Sequence, residues 1–136
     1  MRFKFLPHTA DLKFRAYGST IEEVFENSAY ALFSSICEEK IEKKEKLKLR
    51  IAGKDMLNLF YNFLEELIFL VDSKDFLVSK VRLLKIEKKK FRLFCELSGD
   101  YGKNYEIHSH IKAVTYNEMF IKKDGKKWTA QVVLDV

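Results

Sequence analysis

One proline and five glycines in 136 residues leave little material for linkers or long loops. The chain has no apolar run near the ~20 residues a membrane span needs, and no signal-peptide pattern at its start. These absences predict an intracellular, cytoplasmic protein with no membrane association. Phosphate-binding glycine signatures are missing too: there is no P-loop and no G-x-G-x-x-G. Gly99-Asp100-Tyr101-Gly102 is too short to cradle a triphosphate. No serine or cysteine stands beside an obvious base, so self-contained nucleophilic catalysis has little to build on. Only two cysteines occur, Cys37 and Cys95, each inside an apolar pattern and at a spacing that fits no zinc motif. They read as buried thiols.

What the chain does have is apolar residues, 47% of the total, enough to build the core of one domain over residues 1–136. Its 25 basic and 20 acidic residues give a net charge of +5. That attracts a polyanion at range without marking a dedicated nucleic-acid surface.

Periodicity orders the elements. Leu12, Phe14 and Ala16 alternate with Lys13, Arg15 and Tyr17, a half-buried strand closed by Gly18. Ser19 and Glu22 have the spacing of a capping box, and the apolar residues that follow predict a helix over 20–38. Leu47, Leu49 and Ile51 alternate with Lys46, Lys48 and Arg50 as a second strand. Asp55 is placed to cap a helix over 56–71, apolar around most of its circumference and therefore covered on more than one side. Four strand-like segments follow: 76–86, where a slip in alternation suggests a bulge, then 91–97, 107–121 and 128–135, the last two joined by the hairpin signal Asp124-Gly125. The order β-α-β-α-β-β-β-β predicts an α+β fold, a two-layer domain of two helices packed on a mainly antiparallel sheet.

Several residues could carry chemistry. Asp11 precedes the first of these strands. Asp135 ends the last, and Val136 adds a terminal carboxylate. If those strands are neighbours, the acidic groups converge, and gathered carboxylates favour a hard divalent ion such as Ca²⁺, Mg²⁺ or Mn²⁺. The plainer reading of a strand-end aspartate is a turn or cap residue. His108, His110 and Lys112 share one face if 107–121 is a strand. Two histidines there suggest a transition metal but lack a third ligand; a lysine there is ordinarily a surface residue whose stem lies along the sheet. Lysines cluster at 40–44, 88–90 and 122–127. They leave open phosphate contacts as well as solvated turns that block edge pairing. Twelve phenylalanines fall mostly on apolar sides and read as core.

His8-Thr9-Ala10-Asp11 followed by Phe14-Arg15-Ala16-Tyr17-Gly18 resembles the amino-terminal signature of archeases. Thr20 to Phe25 and Asn62 to Leu67 are similar to the family as well. So are Ile111-Lys112-Ala113-Val114-Thr115-Tyr116 and the ending Val132-Val133-Leu134-Asp135-Val136. The blocks span nearly the whole chain in order. His108 and His110 stand where the family commonly shows one histidine, and Asn117 stands where a histidine is common.

The resemblance implies a non-catalytic accessory factor of an RtcB-type RNA ligase. It would promote the ligase's GTP-dependent guanylylation and its multiple turnover in tRNA splicing and RNA repair, meeting tRNA only through the ligase. It also implies a metal site made by Asp11, Asp135 and Val136, with His8 and Lys112 as supporting positions. Calcium is the first expectation, with manganese or magnesium as alternatives. Two other readings stay open: a basic RNA-binding module with no ligase partner, and a small metal-dependent hydrolase using the same acidic pair.

Overall fold

A computed structural model describes residues 1–136. Seven strands and two long helices follow in the order β1 (Phe3–Leu6), β2 (Leu12–Gly18), α1 (Ile21–Ile36), β3 (Glu45–Ala52), α2 (Met56–Lys74), β4 (Phe76–Glu87), β5 (Arg92–Tyr101), β6 (Ala113–Asp124) and β7 (Lys127–Asp135). The expected α+β class and element order hold, with the short edge strand β1 in addition. The strands divide into two antiparallel sheets, β1-β2-β7-β6 and β3-β5-β4. Helix α1 packs on β2 and β4, and α2 on β6 and β4, so both helices touch both sheets.

Local chemistry explains the boundaries. Asp55 caps α2 as expected, its carboxylate accepting from the Asn58 amide at 2.8 Å. The α1 cap falls one residue later than the Ser19–Glu22 spacing suggests. Thr20 accepts from the Glu23 amide at 3.1 Å, and Ser19 instead donates to the Glu23 carboxylate at 3.2 Å. The apolar face of α2 is buried through Leu59, Phe60, Phe63, Leu64, Leu67, Ile68 and Leu70. Phe25 of α1 meets Phe60 and Phe63 with ring centroids 4.9 and 5.7 Å apart. Burial of these rings is the main favourable term holding the helices together.

The slip expected in 76–86 is real: β4 shifts register against β5 between Val78 and Lys80 and again between Arg82 and Lys85. Gly99 opposes the first shift, where a Cβ would run into the Leu77 carbonyl oxygen. Gly125, at φ +62°, makes the β6–β7 turn. Both cysteines are free and buried.

One segment departs from expectation. Residues 107–112 are not strand. The His108 amide bonds the Ile36 carbonyl at the end of α1 (3.0 Å), so this stretch satisfies its backbone against a helix instead of a ladder. His108, His110 and Lys112 therefore do not share a strand face.

Candidate functional site

The first-sheet order puts β7 between β2 and β6. Leu12 pairs with Leu134 and Ala113 with Asp135. Asp11 directly precedes Leu12 and Asp135 directly follows Leu134, so the two aspartates sit at neighbouring strand ends. The Lys112 amide donates to the Asp135 carbonyl at 2.8 Å, fixing the main chain on the other side. The carboxyl end of β7 is thus flanked by the amino ends of β2 and β6. Ala10, at φ +66°, turns the chain immediately before Asp11 and sets the angle at which that residue enters β2.

Asp11 and Val136 line one cavity of about 580 Å³, with Ser34, Ser35 and Glu38 of the α1 end and His108 of the irregular segment. Asp135 is exposed and does not line it. The Lys112 side chain is exposed, and its contribution is the main-chain bond just described. His108 Nε2 lies 4.0 Å from Glu38 Oε1 across the cavity, whereas His110 is exposed and does not line it.

His8 is the best-connected of the expected residues. Its Nε2 lies 2.8 Å from Glu118 Oε2, and its Nδ1 lies 3.7 Å from Asp11 Oδ2. Lys13 Nζ donates to the other Glu118 oxygen at 3.1 Å. The His8 ring and the Lys13 ammonium hold the Glu118 carboxyl below the usual carboxylate range. His8 Nδ1 is shielded from solvent and has no hydrogen-bond partner. Glu118 is the site residue that sequence reasoning missed. It lies 110 residues from His8, in a bulge that no local pattern announces.

The donor chemistry of this end suits a divalent ion. Two aspartates, main-chain oxygens and an orphaned imidazole nitrogen are all ligand types. No three His, Cys, Asp or Glu side chains converge into a closed cage, so an ion here would also draw on main-chain oxygens and water.

The block from Ile111 to Tyr116 frames the site from behind. Ile111 and Val114 are buried. The Val114 amide donates to Glu65 of α2 at 3.3 Å, and the Thr115 hydroxyl to the Val133 carbonyl at 3.0 Å. Tyr116 stacks on Tyr61 with centroids 4.2 Å apart and accepts from Asn58 at 2.8 Å.

The model of the Archease protein family matches residues 3–136. The chain belongs to the archease family. This archease is 40% identical over 142 residues to the protein archease of Pyrococcus abyssi, covering 99% of each chain. It is 36% identical over 140 residues to that of Methanosarcina mazei, covering 99% of this chain and 96% of the relative. A solution structure from Methanobacterium thermoautotrophicum superposes with a TM-score of 0.84 at 32% identity, covering 99% of both chains. A crystal structure of an archease from Thermotoga maritima, described as a "possible chaperone", shares the fold with a TM-score of 0.70 at 19% identity, covering 98% of this chain and 96% of that one. No helix of this archease is long and apolar enough to cross a membrane.

Proposed function

We propose that this archease is a cytoplasmic, non-catalytic accessory factor of an RtcB-type RNA ligase. It holds a divalent ion at the carboxyl end of β7 through Asp11, Asp135 and main-chain oxygens of Val136. Family membership supports the accessory role. The observation that carries the site is the pairing of β2 with β7, with Leu12 opposite Leu134, which brings the two aspartates to neighbouring strand ends.

The residues divide the work. Asp11 and Asp135 supply negative charge that one cation can neutralise. The Lys112 amide anchors the Asp135 main chain, so the second carboxylate departs from a fixed point. Hard oxygens in an open arrangement suit calcium first, with manganese or magnesium as alternatives. A bound ion supplies positive charge that offsets phosphate charge at the ligase's guanylylation centre. The cavity shared by Asp11 and Val136 gives that end a concave surface to present to the ligase. RNA is met through the ligase.

The test is a purified RtcB-type ligase assayed for guanylylation and for turnovers per enzyme, with and without this protein. Stimulation of both is expected, with loss of stimulation in a folded Asp11→Ala variant and loss of calorimetric calcium binding by the same variant. No gain in either reaction would sink the accessory role. Full stimulation by Asp11→Ala would sink the site.

A second reading, a basic RNA-binding module, has one observation in its favour. Exposed Lys88 shares an apolar cavity of about 550 Å³ with Trp128 and Phe120, near the lysines of the β6–β7 hairpin. It requires salt-sensitive RNA binding by the protein alone, reduced when Lys88, Lys89 and Lys90 are neutralised.

A further inference from the structure

We propose that the outer face of the β3-β5-β4 sheet is a docking surface for single-stranded RNA, with phosphates on its lysines and arginines and a base against Phe94. That the strand is RNA rests on the ligase reading above; the surface lies on the other sheet from Asp11 and Asp135.

Register decides which side chains share this face. Leu49, Val81, Ile86, Leu93, Cys95 and Leu97 are buried on the inner face. Their neighbours along each strand point the other way. Arg50, Phe94 and Lys85 form one cross-strand row, and Lys48, Glu96 and Arg82 the next. Beyond them Lys46 and Lys80 flank Ser98, and at the opposite end Arg92 pairs with Glu87. Lys85 owes its place to the second bulge of β4. Between Arg82 and Lys85, three steps of β4 oppose two of β5, from Glu96 to Phe94. Strict alternation from Arg82 would turn Lys85 into the core. The extra residue returns it to the outer face, with Leu83 held at φ +53°, a conformation that costs about 1 kcal/mol or more.

This placement concentrates charge. Seven of the chain's 25 basic residues and two of its 20 acidic ones lie on this face. The remainder balance, so the net charge of +5 is the charge of this one surface. Lys46, Lys48, Arg50, Arg82, Lys85 and Arg92 are exposed. None of the seven belongs to an ion pair; the pairs of the structure lie elsewhere. Glu96 is outweighed in its own row by Lys48 and Arg82. Along β3 the three cations recur about every 6.6 Å, a rail that a chain of phosphates can follow.

Phe94 is half-buried on the central strand, with the Arg50 guanidinium 5.4 Å from its ring centroid. Unpaired bases stack on such rings and guanidinium planes. An acidic protein would need an apolar core among the charges, and a membrane several protruding apolar side chains. This face has one ring among cations and a single exposed leucine, Leu83, in its edge bulge.

Fluorescence anisotropy of the protein alone, with a labelled oligouridylate of about 12 nucleotides, reads this surface. Binding should weaken with salt, log K falling by about 0.7 per phosphate held for each tenfold rise in salt. Lys48→Gln with Arg82→Gln should flatten that slope by about 1.4 and lower affinity roughly 10–25-fold at ~0.1 M salt. Lys122→Gln with Lys126→Gln removes the same charge from the β6–β7 hairpin and should change affinity by about twofold at most. Phe94→Leu should weaken binding by roughly 5–100-fold with the slope unchanged. Phe94→Tyr keeps a ring and should retain the affinity, which separates stacking from folding. Equal losses from the two lysine and arginine pairs, full affinity in Phe94→Leu, or equal binding of a duplex RNA of the same length would overturn the proposal. So would binding to phosphatidylserine vesicles or polyglutamate without binding to the oligouridylate. No ligase is present in this assay, so a failure of ligase stimulation falls on the ligase reading alone.

Discussion

Replacing Gln131 by methionine tests how the sheet supports the site. The two side chains are close in volume, so the change removes polar bonds while leaving little cavity. Gln131 is 4% exposed and joins three strands: it receives Arg15 Nε of β2 at 2.8 Å and donates to the Glu118 carbonyl of β6 at 2.8 Å. Losing the donor leaves a carbonyl in the bulge without that partner, a cost of about 1–3 kcal/mol. Arg15 is half-buried and water can reach it, so its loss is smaller, about 0.5–1 kcal/mol. The expected total is about 1.5–4 kcal/mol. For a domain of this size that is a fall in Tm of roughly 4–16 °C. Urea unfolding followed by circular dichroism gives the free energy, and an unchanged m-value shows that the effect lies in stability. A loss below about 0.5 kcal/mol would refute the claim that Gln131 clamps the bulge.

Two other outcomes follow from ionisable groups away from the site. Asp100 is 2% exposed and accepts from Tyr105 Oη at 2.8 Å, which with the Tyr101 amide, Asn104 and the nearby Lys44 holds its carboxyl below the usual range. Its folded pKa lies below its unfolded one, so its stabilising contribution is present above the unfolded carboxyl value, near ~4, and is lost as pH falls through the lowered folded value. Asp100→Asn should flatten the acid limb of stability against pH, and an unaltered limb would refute the assignment. Burial pushes the Cys95 thiol up to about 12, so Cys95 should resist alkylation at pH 8 in the native protein and react fully in denaturant, as mass spectrometry can show.

Elements whose signals are local were legible from residue order. The alternation around Phe14 and Ala16, the Asp55 cap and the Asp124-Gly125 turn each depend on neighbours within a few positions. The split into two sheets was not legible, because strand partners are chosen by long-range packing and β4 pairs with β5 while β7 inserts beside β2. Residues 107–112 misled for a related reason. Their apolar and polar residues suit a ladder, yet the His108 amide finds its acceptor on α1, 72 residues earlier. Asp11 and Asp135 could be connected only on the condition that the end strands meet, which the register satisfies. Glu118 had no signal at all, since a bulge is defined by the partner strand it fails to match.

The central place of β7 sets a timetable for the nascent chain. β2 emerges from the ribosome early, yet its partner β7 is made far later in the chain. Closing the loop between Leu12 and Leu134 costs about 4 kcal/mol of chain entropy before any pairing rewards it. The meander β4–β5 can assemble first, while β2 and β6 wait with open edges. A growing or prematurely stopped chain therefore displays Asp11 without Asp135 beside it, and β7 must be made before the protein can offer its acidic end to any partner.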